Sequence, residues 1–196
     1  MKIVIATHNK GKIREIVRVL SPLGIDVCTA ELTEVEENGK TFSENALIKA
    51  KAACEETGLP CIADDSGLCV DHLNGAPGVY SARFAEPGKR KLTLLEMLDG
   101  VPDEQRGAQF ACDIVCVFPN GDVIEAEGKC HGMITHEFRG EGGFGYDPIF
   151  MCTEPGFEGK TFAEMADEDK DIVSHRGRAL KIFAKKLEDY MNKKEG

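Results

Sequence analysis

Asp64-Asp65-Ser66-Gly67 is the segment of this sequence best equipped for chemistry, because two adjacent carboxylates follow the short apolar run Cys61 to Ala63. Carboxylates emerging where a buried strand ends are hard oxygen ligands for Mg2+, or a base. Glu36 and Glu37, ahead of a helical pattern, could complete an oxygen shell; a capped turn beside a solvated acidic face would use the same residues. Thr7-His8-Asn9-Lys10-Gly11-Lys12 offers a hydroxyl, an amide, two lysines and free backbone N–H groups, which together can surround phosphate oxygens. A solvated connection with an Asn turn is the alternative. Lys170 and Ser174-His175-Arg176-Gly177-Arg178 place basic charge at the start of the last helical pattern. There it opposes the helix dipole at about 0.3–1 kcal/mol per charge, a cost that an anionic ligand would offset, although a basic surface turn could bear it. Phe144 between Gly143 and Gly145 can present its ring to a base or anchor the loop inward. Lys49, well inside a helical pattern, gains a role only if that helix backs the same site.

Other chemistries are excluded by context. Gly39-Lys40-Thr41 imitates the end of a P-loop, but Glu34 stands where the first glycine is required. Gly140-Glu141-Gly142-Gly143-Phe144-Gly145 matches Gly-x-Gly-x-x-Gly, yet Pro148 and the apolar run after it favour extended chain over the helix that a dinucleotide site needs. The eight cysteines include no Cys-x-x-Cys pair, which argues against structural zinc. Nothing marks the chain for export, so free thiols are expected, with Cys112 and Cys116 on one face of a strand. Ser66 has no Gly-x-Ser-x-Gly elbow, which disfavours covalent catalysis.

Several elements must position these groups. Lys2 to Ala6 reads as a buried strand, and Ile13, Ile16, Val17 and Leu20 recur at helical spacing after it. Ile25 to Cys28 reads as a second strand. Thr41-Phe42-Ser43-Glu44 is a capping box opening a helix through about Glu56, which Gly58-Leu59-Pro60 ends. Cys61 to Ala63 and Leu68 to Val70 read as strands on either side of an acidic turn at 64–67. Lys91 to Leu98 suits a short helix. Gln109 to Phe118 and Val123 to Gly128 alternate around Pro119-Asn120-Gly121-Asp122, the pattern of a hairpin. Thr161 to Met165 suits a short helix, and Leu180, Phe183, Ala184, Leu187 and Met191 give the final helix its apolar stripe, with Ser174 as N-cap. The fold class expected is α/β, a long mixed central sheet flanked by helices, in a single domain over 1–196.

The chain has 196 residues, 42% of them hydrophobic, enough for one substantial core. Its formal charge of −10 makes non-specific attraction to nucleic acid or to an anionic membrane unfavourable. No apolar run approaches the roughly 20 residues of a membrane span, and Met1 to Lys12 lacks a signal-peptide core, so a cytoplasmic location is expected.

Six blocks carry a resemblance that these separate readings do not. They are Thr7 to Lys12 with Glu15, Thr41-Phe42-Ser43-Glu44-Asn45-Ala46, Ala63 to Leu68, Gly75-Ala76-Pro77-Gly78-Val79-Tyr80-Ser81-Ala82-Arg83, Gly142 to Asp147, and Ser174-His175-Arg176-Gly177. In this order they closely resemble the house-cleaning inosine/xanthosine triphosphate pyrophosphatase family. The resemblance implies cleavage of ITP, dITP and XTP between the α and β phosphates, use of Mg2+, a homodimer, and two lobes with a substrate cleft between them. It also implies a triphosphate held by Thr7, Asn9 and Lys12 within the loop that includes His8, Lys10 and Gly11. Asp65 would be the catalytic carboxylate, also at the metal, with Glu37 or its neighbour Glu36 as second metal-side carboxylate and Lys49 as a phosphate-side charge. Ser66, Phe144, Gly145, Tyr146, Asp147, Lys170, His175 and Arg176 would complete the substrate site, the last two as donors to a 6-oxo group. Ala85 to Leu92 departs from the family's pattern, being basic, and receives no role. A pyrimidine triphosphate pyrophosphatase and a catalytically idle nucleotide sensor are the competing readings.

Overall fold

The computed structural model describes residues 1–195. Its elements are β1 (Lys2–Ile5), α1 (Lys10–Leu20), β2 (Asp26–Thr29), α2 (Phe42–Thr57), β3 (Cys61–Val70), α3 (Arg90–Met97), β4 (Gly107–Val117), β5 (Val123–Ile134), β6 (Phe150–Cys152), α4 (Asp167–Val173) and α5 (His175–Glu195), with short 3-10 turns between several of them. One six-stranded sheet has the order β2-β1-β3-β4-β5-β6. It is mixed: β1 runs parallel to β2 and β3, while β5 and β6 are antiparallel, with Met133 opposite Met151. The α/β expectation therefore holds, with helices around a mixed sheet.

The chain divides into two compact units, Met1–Asp65, Cys112–Gly128 and the segment from Arg176 in one, and Ser66–Ala111 with Lys129–His175 in the other. In the first unit the sheet is covered on both faces. Ile3, Ile5, Ile62, Cys112, Ile114 and Cys116 meet Ile16 and Leu20 of α1 and Ala179, Leu180, Phe183 and Leu187 of α5. Val4, Ala6, Cys61, Ala63, Val115 and Val117 meet Ala46, Ala50 and Ala53 of α2, whose small side chains let the helix lie close to the strands. The second unit has its own core, built on Leu68, Phe110, Ile134, Phe150, Phe162 and Leu94 of α3.

Local chemistry explains the helix starts. Asn9 caps α1, its Oδ1 accepting from the N–H groups of Gly11 (2.9 Å) and Lys12 (3.2 Å). At α2 the reciprocal Thr41–Glu44 capping box forms as expected, and Gly58 at φ 66° ends the helix.

The structure corrects several boundaries. Asp64 to Gly67 is no turn: β3 runs unbroken through it. β5 extends six residues past Gly128 to Ile134, β6 begins in the apolar run expected as extended chain, and α4 lies where no element was expected. On α5 the stripe stops at Leu187, since Met191 is exposed, and Val17 of α1 likewise faces solvent. All eight cysteines are free thiols, and Cys112 and Cys116 share one core. Among the described residues no helix is long and apolar enough to cross a membrane.

Candidate active site

Because β3 is continuous through the acidic pair, its side chains alternate, and Asp64 and Asp65 project to opposite faces. Each meets a different set of helices.

Asp64 shares the face of Ile62. Its Oδ2 accepts from Arg176 Nε (3.0 Å) and Nη2 (2.9 Å) at the start of α5, and lies 3.1 Å from Lys12 Nζ in the first turn of α1. Arg176 Nη1 donates to Glu15, one turn further along α1. The Cys112 thiol donates to the same Oδ2 at 3.8 Å. Asp64 is fully buried, which by itself would raise its pKa, but Lys12, Arg176 and Lys49 outweigh burial and hold the carboxyl well below the usual range.

Asp65 shares the face of Ala63 and meets α2. Asn45 Nδ2 donates to its Oδ2 at 3.0 Å, and Lys49, one turn further along the helix, places Nζ 3.8 Å from its Oδ1. The same ammonium is 3.2 Å from Glu37 Oε1 and donates to the Asp64 carbonyl oxygen at 2.8 Å. Two carboxylates thus converge on one cation. Burial pushes the Asp65 carboxyl up, opposed by Lys49, Lys12 and the Asn45 hydrogen bond, so of the adjacent pair it is the more basic. Glu36 is exposed, whereas Glu37 turns toward Lys49.

The loop before α1 is organised by its own side chains. Thr7 Oγ1 accepts from the Asn9 N–H at 3.2 Å, and the Asn9 oxygen caps α1, so that oxygen holds the helix rather than a ligand. His8 and Lys10 are exposed; Gly11 is buried.

In the second unit the glycine-rich loop is built around Asp147. Its Oδ2 accepts from the Phe144 N–H (2.8 Å) and from Lys170 Nζ of α4 (2.6 Å), an ion pair almost fully buried. Lys170 Nζ also lies over the Phe144 ring, 4.8 Å from its centroid. A Cβ at Gly143, where φ is 69°, would stand 2.0 Å from Asp147 Oδ2, so only glycine fits there. Phe144 itself is half-buried, and Gly145 follows it at φ 62°. Tyr146 is buried; its hydroxyl donates to the Ser81 carbonyl at 3.0 Å, and burial raises its pKa to about 12. His175 stacks on Phe110 with centroids 4.6 Å apart. Ser66 is half-buried in β3.

Two findings add to the expected roles. The Arg176 guanidinium is engaged by Asp64 and Glu15 inside the first unit. Asn45, to which no role was given, contacts the central carboxylate directly. Its spacing was a usable signal, because Asn45 and Lys49 at i and i+4 must share one face of a helix.

Fold and site define a class: an α/β protein whose central parallel strand carries a buried carboxylate pair under lysine control. Comparison with known proteins is specific. The model of the Ham1 family matches residues 3–186, and the chain belongs to that family. It is 51% identical over 189 residues to a dITP/XTP pyrophosphatase of Desulforamulus reducens, covering 92% of each chain. It is 50% identical over 191 residues to a dITP/XTP pyrophosphatase of Escherichia coli O157:H7, covering 93% of this chain and 95% of that one. The solved HAM1 protein from Coxiella burnetii superposes with a TM-score of 0.85 at 39% identity, covering 96% and 99% of the two chains.

Proposed function

We propose that this chain hydrolyses non-standard purine nucleoside triphosphates, ITP, dITP and XTP, to the monophosphate and pyrophosphate, clearing deaminated purines from the nucleotide pool. The observation that carries the reading is the convergence of Asp65 and Glu37 on Lys49 at the strand face opposite Asp64. Its family setting supports it too, since relatives about half identical over nearly the whole chain bear the name dITP/XTP pyrophosphatase.

The donor set suits Mg2+. Asp65 and Glu37 are hard oxygen ligands already turned toward one positive charge, and no group of three side-chain ligands occurs among the described residues. Mg2+ usually takes one or two carboxylates and completes its shell with phosphate and water, so Asp65 and Glu37 would hold it. Bound there, the ion would supply neutralisation of phosphate charge and orientation of the reacting groups.

The chain's own residues do the rest. Asp65, its carboxylate oriented by Asn45 and Lys49, accepts the proton of a water that attacks the α-phosphorus as the bond to the bridging oxygen of the β-phosphate breaks. Lys12 and Lys49 stabilise charge on the departing pyrophosphate, which matters most in a loose transition state. Phe144 offers a purine a ring face. A donor at position 6 rejects adenine, whose amino group leaves that donor unpaired at about 1–3 kcal/mol. His175 and Arg176 are the candidates for that donor, since the guanidinium that meets Asp64 and Glu15 has N–H groups beyond the three those carboxylates use. We read the protein as a cytoplasmic homodimer, following the family resemblance.

The test is pyrophosphate release from ITP and XTP beside ATP and GTP, with Mg2+ and with EDTA. Release confined to the 6-oxo, non-guanine substrates and abolished by EDTA is the expected outcome. Orthophosphate as product, or equal cleavage of ATP, would overturn the reading.

A further inference from the structure

Asn45 is completely buried in the first turn of α2, and both ends of its amide are used. Its Nδ2 donates to Asp65 Oδ2 at 3.0 Å, and its Oδ1 accepts from the Gly39 N–H at 2.8 Å. The partners fix this orientation, because a flipped amide would turn its oxygen to a carboxylate and its NH2 to an N–H. We propose that Asn45 is a positioning residue for the hydrolysis inferred above: it ties the Asp65 carboxylate to the segment carrying Glu37, so that both acidic groups are presented together. The inference rests on that functional reading.

The segment 30–39 has neither helix nor strand, so side chains must hold it. Glu56 accepts from the Thr33 N–H at 3.1 Å at one end, and Glu44 accepts from the N–H groups of Lys40 (2.5 Å) and Thr41 (3.2 Å) at the other. Glu37 lies between these anchors, two residues before the Gly39 N–H that Asn45 receives. The approach is too close for any side chain at 39: a Cβ there would stand 2.7 Å from both Asn45 Oδ1 and Glu44 Cβ. With Oδ2 of Asp65 held by Asn45, its Oδ1 is left facing Lys49, the lysine that also meets Glu37. Asn45 therefore selects which carboxylate oxygen faces the shared cation and anchors the backbone near the second carboxylate.

Two variants separate the halves of the tether. Asn45→Asp still accepts from Gly39 but cannot donate to Asp65 when ionised. Gly39→Ala replaces no site side chain but crowds both Asn45 and Glu44. Both should lower kcat for ITP by about 10-fold to 100-fold, the usual consequence of a sub-ångström to ångström misplacement. KM should stay within about threefold, since the groups act on the reacting atoms more than on ground-state binding. Exchange of the Gly39 amide, followed by NMR, should remain slow in Asn45→Asp and become faster in Gly39→Ala and Asn45→Ala. A folded Asn45→Asp or Gly39→Ala enzyme with wild-type kcat, or a loss confined to KM, would overturn the proposal. If the unmodified chain does not hydrolyse ITP, the functional reading fails by itself; unchanged Gly39 exchange in a folded Asn45→Ala protein would then refute the tether independently.

Discussion

Asp64 and Asp65 are chain neighbours in opposite electrostatic situations, and their isosteric variants should behave in opposite ways. Asp64 is held ionised by Lys12 and Arg176, so its folded-state pKa lies below the unfolded value of about 3.9. A depressed carboxylate contributes stability that is complete above about pH 5 and declines as the pH falls below about 4. Asp64→Asn removes the carboxylate that Lys12 and Arg176 share, leaving Glu15 as the partner of Arg176, and should cost about 3–5 kcal/mol at neutral pH, seen as a lower urea midpoint. Its midpoint should also vary less than the parent's between pH 5 and pH 3, and an equally steep acid loss would contradict the assignment. Asp65 has the reverse sign. Burial raises its folded pKa, so at neutral pH its ionised form weakens the fold. Asp65→Asn should leave the melting temperature unchanged or higher, while kcat for ITP falls by about 10²–10⁴-fold. A matching loss of stability would mean that Asp65 is structural. The sequence identified the acidic pair as the centre of the site, but not this division of labour. Alternation separates the two side chains only if the segment is a strand, and Asp-Asp-Ser-Gly has the composition of a turn.

Elements were legible where periodicity or capping chemistry specified them. The Thr41–Glu44 box, the buried strand β1 and the hairpin turn after Phe118, closed by the Phe118 N–H to the Asp122 carbonyl at 2.9 Å, all stand where the pattern placed them. β3 was not legible as one strand, because its carboxylates are tolerated mid-sheet only through partners on α1, α2 and α5, remote in sequence. Thr41→Ala removes the side-chain half of the box and should cost about 1 kcal/mol, lowering the melting temperature by about 2–4 °C for a chain of this size. Arg106 is a larger element-scale feature that no local pattern reveals. Its buried guanidinium donates to the carbonyls of Leu98 (2.7 Å), Val101 (3.3 Å), Ile134 (2.7 Å) and Thr135 (2.8 Å), closing the loop after α3 onto the end of β5. A single ammonium cannot serve that geometry. Arg106→Lys should therefore leave buried carbonyls unpaired and destabilise by about 2–4 kcal/mol, measured by denaturant unfolding, despite conserving charge. A cost below about 0.5 kcal/mol would show that the carbonyls find other donors.

At the scale of the molecule, the thiols provide a built-in report on how the fold opens. Six of the eight cysteines are buried; Cys54, Cys61, Cys112 and Cys116 lie in the first unit and Cys130 and Cys152 in the second. Burial raises the thiol pKa of Cys61, Cys112 and Cys116, so these react only when the structure around them opens. Strands β3, β4 and β5 each begin in one unit and end in the other, which ties the ladders of both to the same backbone segments. Opening should therefore be cooperative. In a timed reaction with an aromatic disulfide reagent read by mass spectrometry, the partly exposed Cys28 should label first, followed by Cys69, also partly exposed but with its thiol pKa pushed up by burial. The six buried thiols should follow at one common rate that rises with urea, and reducing agent should leave the melting temperature unchanged because no disulfide contributes. Two well-separated rates, one for Cys61, Cys112 and Cys116 and another for Cys130 and Cys152, would mean that the units unfold independently and that strand continuity does not couple them.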